Sequence, residues 1–79
     1  MARAYDEIID FIAAGPTSSK VAVFQPSENS RERVEELIQR EKALGLSTEE
    51  SSELDHYLQL EHLMRLAKVR ARKHLARDR

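Results

Sequence analysis

The sequence predicts a mainly α fold: a short N-terminal helix, one short strand, and a helical hairpin over 28-44 and 48-75 with a long C-terminal helix, associating as a homodimer. Three observations carry this reading. Apolar residues recur at three- and four-residue spacing in three separate stretches. From Thr48 to Arg77 there is neither Gly nor Pro to interrupt a helix. The two glycines, Gly15 and Gly45, each stand where a helical stretch should stop. With 79 residues the chain reads as one small domain, 1-79. A chain of this size buries only about 60% of its unfolded surface, so a second chain would add much to its stability.

Within 1-15, Tyr5, Ile8, Ile9 and Ile12 fall at helical spacing, and Gly15-Pro16 supplies the stop. Residues 20-25, beginning Lys-Val-Ala-Val-Phe, are β-branched and aromatic enough to predict a strand that ends before Pro26, which has no N–H to donate. Ser27 is the expected cap of the next helix, where Val34, Leu37, Ile38 and Leu44 give one apolar stripe. Ser47 followed by Glu50 reads as a capping box, in which hydroxyl and carboxylate each satisfy an orphan N–H.

The helix that starts there should run about 27 residues, or about 40 Å, against a diameter of about 30 Å for a compact chain of this length. Its apolar residues exceed one face. Tyr57, Leu60, Met64, Ala67 and Ala71 form an a/d seam, while Leu54, Leu58, Leu63, Leu66 and Val69 lie outside it. The expected partner or dimer interface is Leu54, Tyr57, Leu60, Met64, Ala67 and Ala71.

Charge is polarised along the chain. From Glu28 to Glu61 there are ten acids against four Lys or Arg, and from His62 onward seven Lys or Arg against the single acid Asp78. Arg65, Lys68, Arg70, Arg72, Lys73 and Arg77 make a basic arm, continued by a basic tail at 76-79. Such an arm suits phosphates, yet no aromatic residues are interleaved with it to stack on bases. Strand, helix, turn and helix is also the order of ribbon-helix-helix repressors. The strand here offers little polar chemistry to a DNA groove on either face, so the topology is suggestive and the chemistry weak.

Catalysis finds few footholds. The chain has no cysteine, its serines cluster in turns and caps, and no glycine-rich loop is present to cradle phosphates. Glu53-x-x-His56 matches the pair used by carboxylate di-metal bundles, but His56 and His62 point about 120° apart on one helix, and inward carboxylates are scarce. The reading is a non-enzyme with no metal and no cofactor. No apolar run approaches a membrane span of roughly 20 residues, and Asp6, Glu7 and Asp10 interrupt any signal-peptide core. The expectation is a soluble, cytoplasmic chain without a membrane partner.

Phe24 to Arg72 resembles a group of short bacterial proteins, frequent in cyanobacteria. The shared pattern is Phe24-x-Pro26-Ser27, then Arg33-Val34-x-x-Leu37, then Leu46-Ser47-x-Glu49-Glu50-x-x-Glu53-Leu54-Asp55-x-Tyr57-x-x-Leu60-Glu61-His62, then Arg65-Leu66-x-Lys68-x-Arg70-Ala71-Arg72. Members of that group are regarded as candidate antitoxins, often encoded beside a nuclease-like toxin, and carry no catalytic residue. The resemblance implies a protein-interaction module that binds and neutralises a partner through its long C-terminal helix and basic arm. Two alternatives stay open, a ribbon-helix-helix-like dimeric DNA-binding repressor and a structural adaptor or assembly chaperone.

Overall fold

The computed structural model describes residues 3–77, and these form four helices: α1 (Asp6–Ala13), α2 (Ser18–Ala22), α3 (Glu28–Ala43) and α4 (Thr48–Arg77). Among the described residues there is no strand. Helix α4 has 30 residues, about 45 Å at 1.5 Å per residue, and it sets the longest dimension of a molecule measuring 51 × 21 × 19 Å. The other three helices pack along it. Of the predicted tail 76-79, Ala76 and Arg77 belong to the last turn of α4, and 78–79 lie outside the described residues.

The predicted strand at 20-25 is corrected to a helical turn. Thr17 caps it, its hydroxyl accepting from the Lys20 N–H at 3.3 Å while its carbonyl accepts from the Val21 N–H at 3.0 Å. A solitary strand would leave its backbone groups unpaired, whereas a helical turn satisfies them locally, and this outweighs the β preference of Val-Ala-Val. The turn also lets α2 lie close against α4. Val21 and Phe24 then reach the core, and Val23 is left exposed. Among the described residues there is thus no strand of the kind that ribbon-helix-helix proteins pair across two chains.

The hairpin of α3 and α4 forms as the sequence implies. Ser27 caps α3 by accepting from the Ser30 N–H at 3.2 Å. The capping box is present at α4: the Ser47 hydroxyl accepts from the Glu50 N–H at 3.1 Å, and the Glu50 carboxylate accepts from the Ser47 N–H at 3.2 Å. Gly45 has φ +83°, the left-handed conformation that ends α3, and its N–H bonds back to the Arg40 carbonyl. Because α3 stops at Ala43, Leu44 falls outside the expected stripe and is 92% exposed.

The core is built from Ala4, Ile8, Val34, Leu37, Leu54, Tyr57 and Met64, flanked by Tyr5, Phe11, Val21, Phe24, Ile38, Leu46 and Leu60. Leu37 is fully buried at its centre. Helix α1 begins at Asp6, later than the predicted start, and its isoleucines divide: Ile8 enters the core while Ile9 and Ile12 face outward. Phe11 takes a core role instead, its ring 4.3 Å from that of Phe24.

Candidate functional site

Polar contacts fix which side of α4 faces in. The Glu53 carboxylate accepts from the Arg33 Nε at 3.0 Å and Nη2 at 3.1 Å, and also from the Ala4 N–H at 3.0 Å. One buried acid therefore ties α3 and the start of α1 to α4. Arg33 holds the Glu53 carboxyl below the usual carboxylate range, against the opposing effect of burial, with the Ala4 N–H adding to the downward shift. Nearby, the Tyr5 and His56 rings meet edge to face at 5.4 Å, and the Ser27 N–H donates to the Glu7 carboxylate at 2.6 Å.

Held this way, α4 turns most of the predicted partner seam inward. Leu54, Tyr57, Met64 and Ala71 are buried, and Leu60 and Ala67 are half-buried. The reason is geometric: α1, α2 and α3 need an apolar side of α4 to pack on, and the regularly spaced seam is the one they use. Tyr57 lies deep enough that burial pushes its hydroxyl above the ordinary tyrosine value. The seam thus serves largely as the chain's own core, and other apolar residues of α4 are left outside it.

Those residues are Leu58, Leu63, Leu66 and Val69, exposed by 49%, 51%, 54% and 49%. At about 100° per residue they fall into two groups. Leu58 and Val69 lie about 20° apart and, with Arg65 and Arg72, make a stripe about 60° wide. Leu66 falls between Val69 and Leu63, about 60° from each, and Leu63 turns toward α1 instead. There Tyr5, Ile9, His56, Gln59, Leu60 and Leu63 line a shallow hollow of about 420 Å³.

The basic arm is continuous with α4. Arg65 pairs with Glu61 one turn earlier, Lys68 is half-buried, and Arg70, Arg72, Lys73 and Arg77 are exposed. These last four have no carboxylate partner among the described residues. Within α4, Thr48 to Glu61 carries five acids and no Lys or Arg, and His62 to Arg77 carries six Lys or Arg and no acid.

Comparison with protein-family models, with curated proteins and with solved structures finds no match to this chain. Its chemistry therefore has to be read from its own residues. Glu53 and His56, the E-x-x-H pair, are engaged with Arg33 and Tyr5 respectively, and no group of three or more potential metal ligands gathers among the described residues. No helix among them is long and apolar enough to cross a membrane.

Sequence reasoning missed the outward-facing Ile9 and Ile12, because apolar spacing alone does not say which isoleucines the core has room for. It also missed Arg33 as the partner of Glu53. The place of Glu53 four residues before Tyr57 and seven before Leu60, on the same side of the helix as the apolar seam, was the available signal.

Proposed function

We propose that this chain is a non-enzymatic protein-interaction module, antitoxin-like in action, which binds a protein partner along the outward stripe of α4. The observation that carries the reading is the company that stripe keeps: Leu58 and Val69 are large, apolar and exposed, and Arg65 and Arg72 flank them. An exposed helix with apolar anchors suits a hydrophobic groove, and cations beside the anchors favour a groove with an acidic rim. The resemblance of Phe24 to Arg72 to candidate antitoxins supplies the partner class, a nuclease-like toxin. The non-enzymatic part is supported by the state of the buried carboxylate of Glu53, which is committed to structural hydrogen bonds.

Co-expression with a nuclease-like protein encoded beside this chain, the arrangement found for the group it resembles, tests this. The wild-type chain is expected to relieve the growth arrest that protein causes and to co-purify with it. Leu58→Glu with Val69→Glu should abolish both effects while the helical circular dichroism stays unchanged. Growth arrest that the wild-type chain leaves untouched would refute the antitoxin reading.

A second reading, nucleic-acid contact, is favoured by Arg70, Arg72, Lys73 and Arg77, which are exposed and lack carboxylate partners among the described residues. Binding through these four would show a log-log salt slope of about −3 to −4 on duplex DNA. A gel-shift titration at several salt concentrations measures that slope, and no shift at low salt removes this reading.

A further inference from the structure

Leu63, on the α1 side of α4, and Leu66, about 60° further round, belong to a surface distinct from the proposed partner stripe. Leu63 and Leu66 are about half exposed, and Ile9 and Ile12 on α1 are 44% and 43% exposed. Ile9 lines the same hollow as Leu63, and Ile12 follows it by one turn. Along α4 this face is a heptad-spaced row of Ser52, His56, Gln59, Leu63, Leu66, Arg70, Lys73 and Arg77. Its two leucines sit at the centre of the row, which fits a symmetric contact about a point between them.

We propose that this face binds a second copy of the chain, with the two α4 helices antiparallel and the two-fold axis between Leu63 and Leu66. On this face the cations Arg70, Lys73 and Arg77 stand at one end and the acid Asp55, without an ion pair among the described residues, at the edge of the other, while Glu50, Glu53 and Glu61 pair within the chain. This charge pattern suits a second copy in the antiparallel direction. The first half of α4 carries only acidic charge and the second half only basic charge. A parallel pair would set like on like, whereas an antiparallel pair sets each acidic half beside the other copy's basic half. In that register Leu63 meets the partner's Leu66, Gln59 meets the partner's Arg70, and Ser52 meets the partner's Arg77. Asp55 and Lys73 lie on the same edge of the face, and residues on the same edge meet in an antiparallel pair, so Asp55 approaches the partner's Lys73. Lys73 thereby gains a carboxylate partner, and Arg70 and Arg77 gain neutral polar ones, that a single copy does not provide. Leu58 and Val69 stay outside the contact, so this inference stands or falls separately from the proposed function.

Sedimentation of the full chain at about 50 µM, a concentration that reveals even a weak dimer, should give a dimer. Leu66→Glu should give a monomer with the helical signal retained, since Leu66 lies outside the core. Arg70→Glu should weaken the dimer at least tenfold, and adding Gln59→Arg to the same chain should restore most of it. Because the chain has no cysteine, single cysteines can report direction. Mixed Gln59→Cys and Arg70→Cys chains should form a disulfide between unlike positions. Like positions at 59 would lie about 16 Å apart along the axis in an antiparallel pair, beyond the roughly 7 Å limit for Cα atoms bridged by a disulfide. A wild-type monomer at that concentration, a dimer indifferent to Leu66→Glu, or cross-linking of like positions alone would each overturn the proposal.

Discussion

Arg33 on α3 and Glu53 on α4 form a two-pronged ion pair, Nε and Nη2 at 3.0 and 3.1 Å from the two carboxylate oxygens, and Glu53 also accepts the Ala4 N–H. The Glu53 side chain is 10% exposed and that of Arg33 25%. The pair lies on the side of α4 that packs on α3, the side on which Leu54, Tyr57 and Met64 are buried. It thereby reinforces the orientation in which Leu54 is buried and Leu58 stays outside.

Removing one member should cost more than removing both. Arg33→Ala leaves a buried carboxylate with only one backbone donor and is expected to destabilise the chain by about 3 kcal/mol, at the lower end for broken buried pairs because Arg33 retains some solvent contact. Arg33→Met combined with Glu53→Leu should recover more than half of that loss. Urea unfolding followed by circular dichroism checks both values. A double variant as unstable as the single one would contradict a pairing role.

Stability should decline at both pH extremes. The folded-state values of Glu53 and Glu50 lie below the ordinary 4.5, Glu53 through Arg33 and Glu50 through the Ser47 N–H and then Arg40. For depressed acids the stabilisation is present above the unfolded value and is lost as pH falls through 4.5 toward the folded one. Burial raises Tyr57 above the ordinary 10.0, so its contribution is complete below that value and is lost as pH rises through the folded one. The urea midpoint is expected to drop below about pH 4.5 and above about pH 10. Glu53→Gln should lower the midpoint at pH 7 and flatten the acid limb.

Ser47→Ala should remove the hydroxyl arm of the capping box and cost about 1 kcal/mol. Ser47→Asp should restore most of it, since aspartate also accepts the first-turn N–H and complements the helix dipole. Thermal melts of the two variants measure the difference. Equal melting temperatures for wild type and Ser47→Ala would show that the cap carries little of the stability of α4.

Leu37→Ala should cost about 3 kcal/mol, because Leu37 is fully buried and its removal leaves a cavity. For a 79-residue chain that is a large share of a total stability of about 4–12 kcal/mol. Leu58→Ala, on the exposed side of α4, should cost under about 0.5 kcal/mol. Denaturant midpoints for the two variants provide the comparison.

The hairpin was legible because its signals are local. Ser27, Ser47 with Glu50, and Gly45 act within a few residues of themselves, and each makes in the structure the bond its type implies. The long helix was legible for the same reason, since nothing from Thr48 to Arg77 breaks it. The strand at 20-25 failed because the β preference of Val21 and Val23 had no neighbouring strand to satisfy, while Thr17 offered a cap for a helical turn. The candidate interface at Leu54, Tyr57, Leu60, Met64, Ala67 and Ala71 moved for a different reason. The spacing that marks a seam for another chain also marks a seam for the chain's own helices, and only the anchoring of Glu53 by Arg33 and Ala4 says which use is made of it.

The central claim is that α4 divides its sides between two tasks, a buried side that holds the fold and an exposed stripe at Leu58 and Val69 that binds. Calorimetric titration of the proposed nuclease-like partner with three purified forms tests it most directly: wild type, Leu58→Glu with Val69→Glu, and Met64→Glu. The expected result is that the outward double variant keeps its melting temperature within about 2 °C, the shift allowed for exposed substitutions, and loses at least a hundredfold in affinity. Met64→Glu should lose its cooperative melt. An outward variant that binds as tightly as wild type would contradict the account.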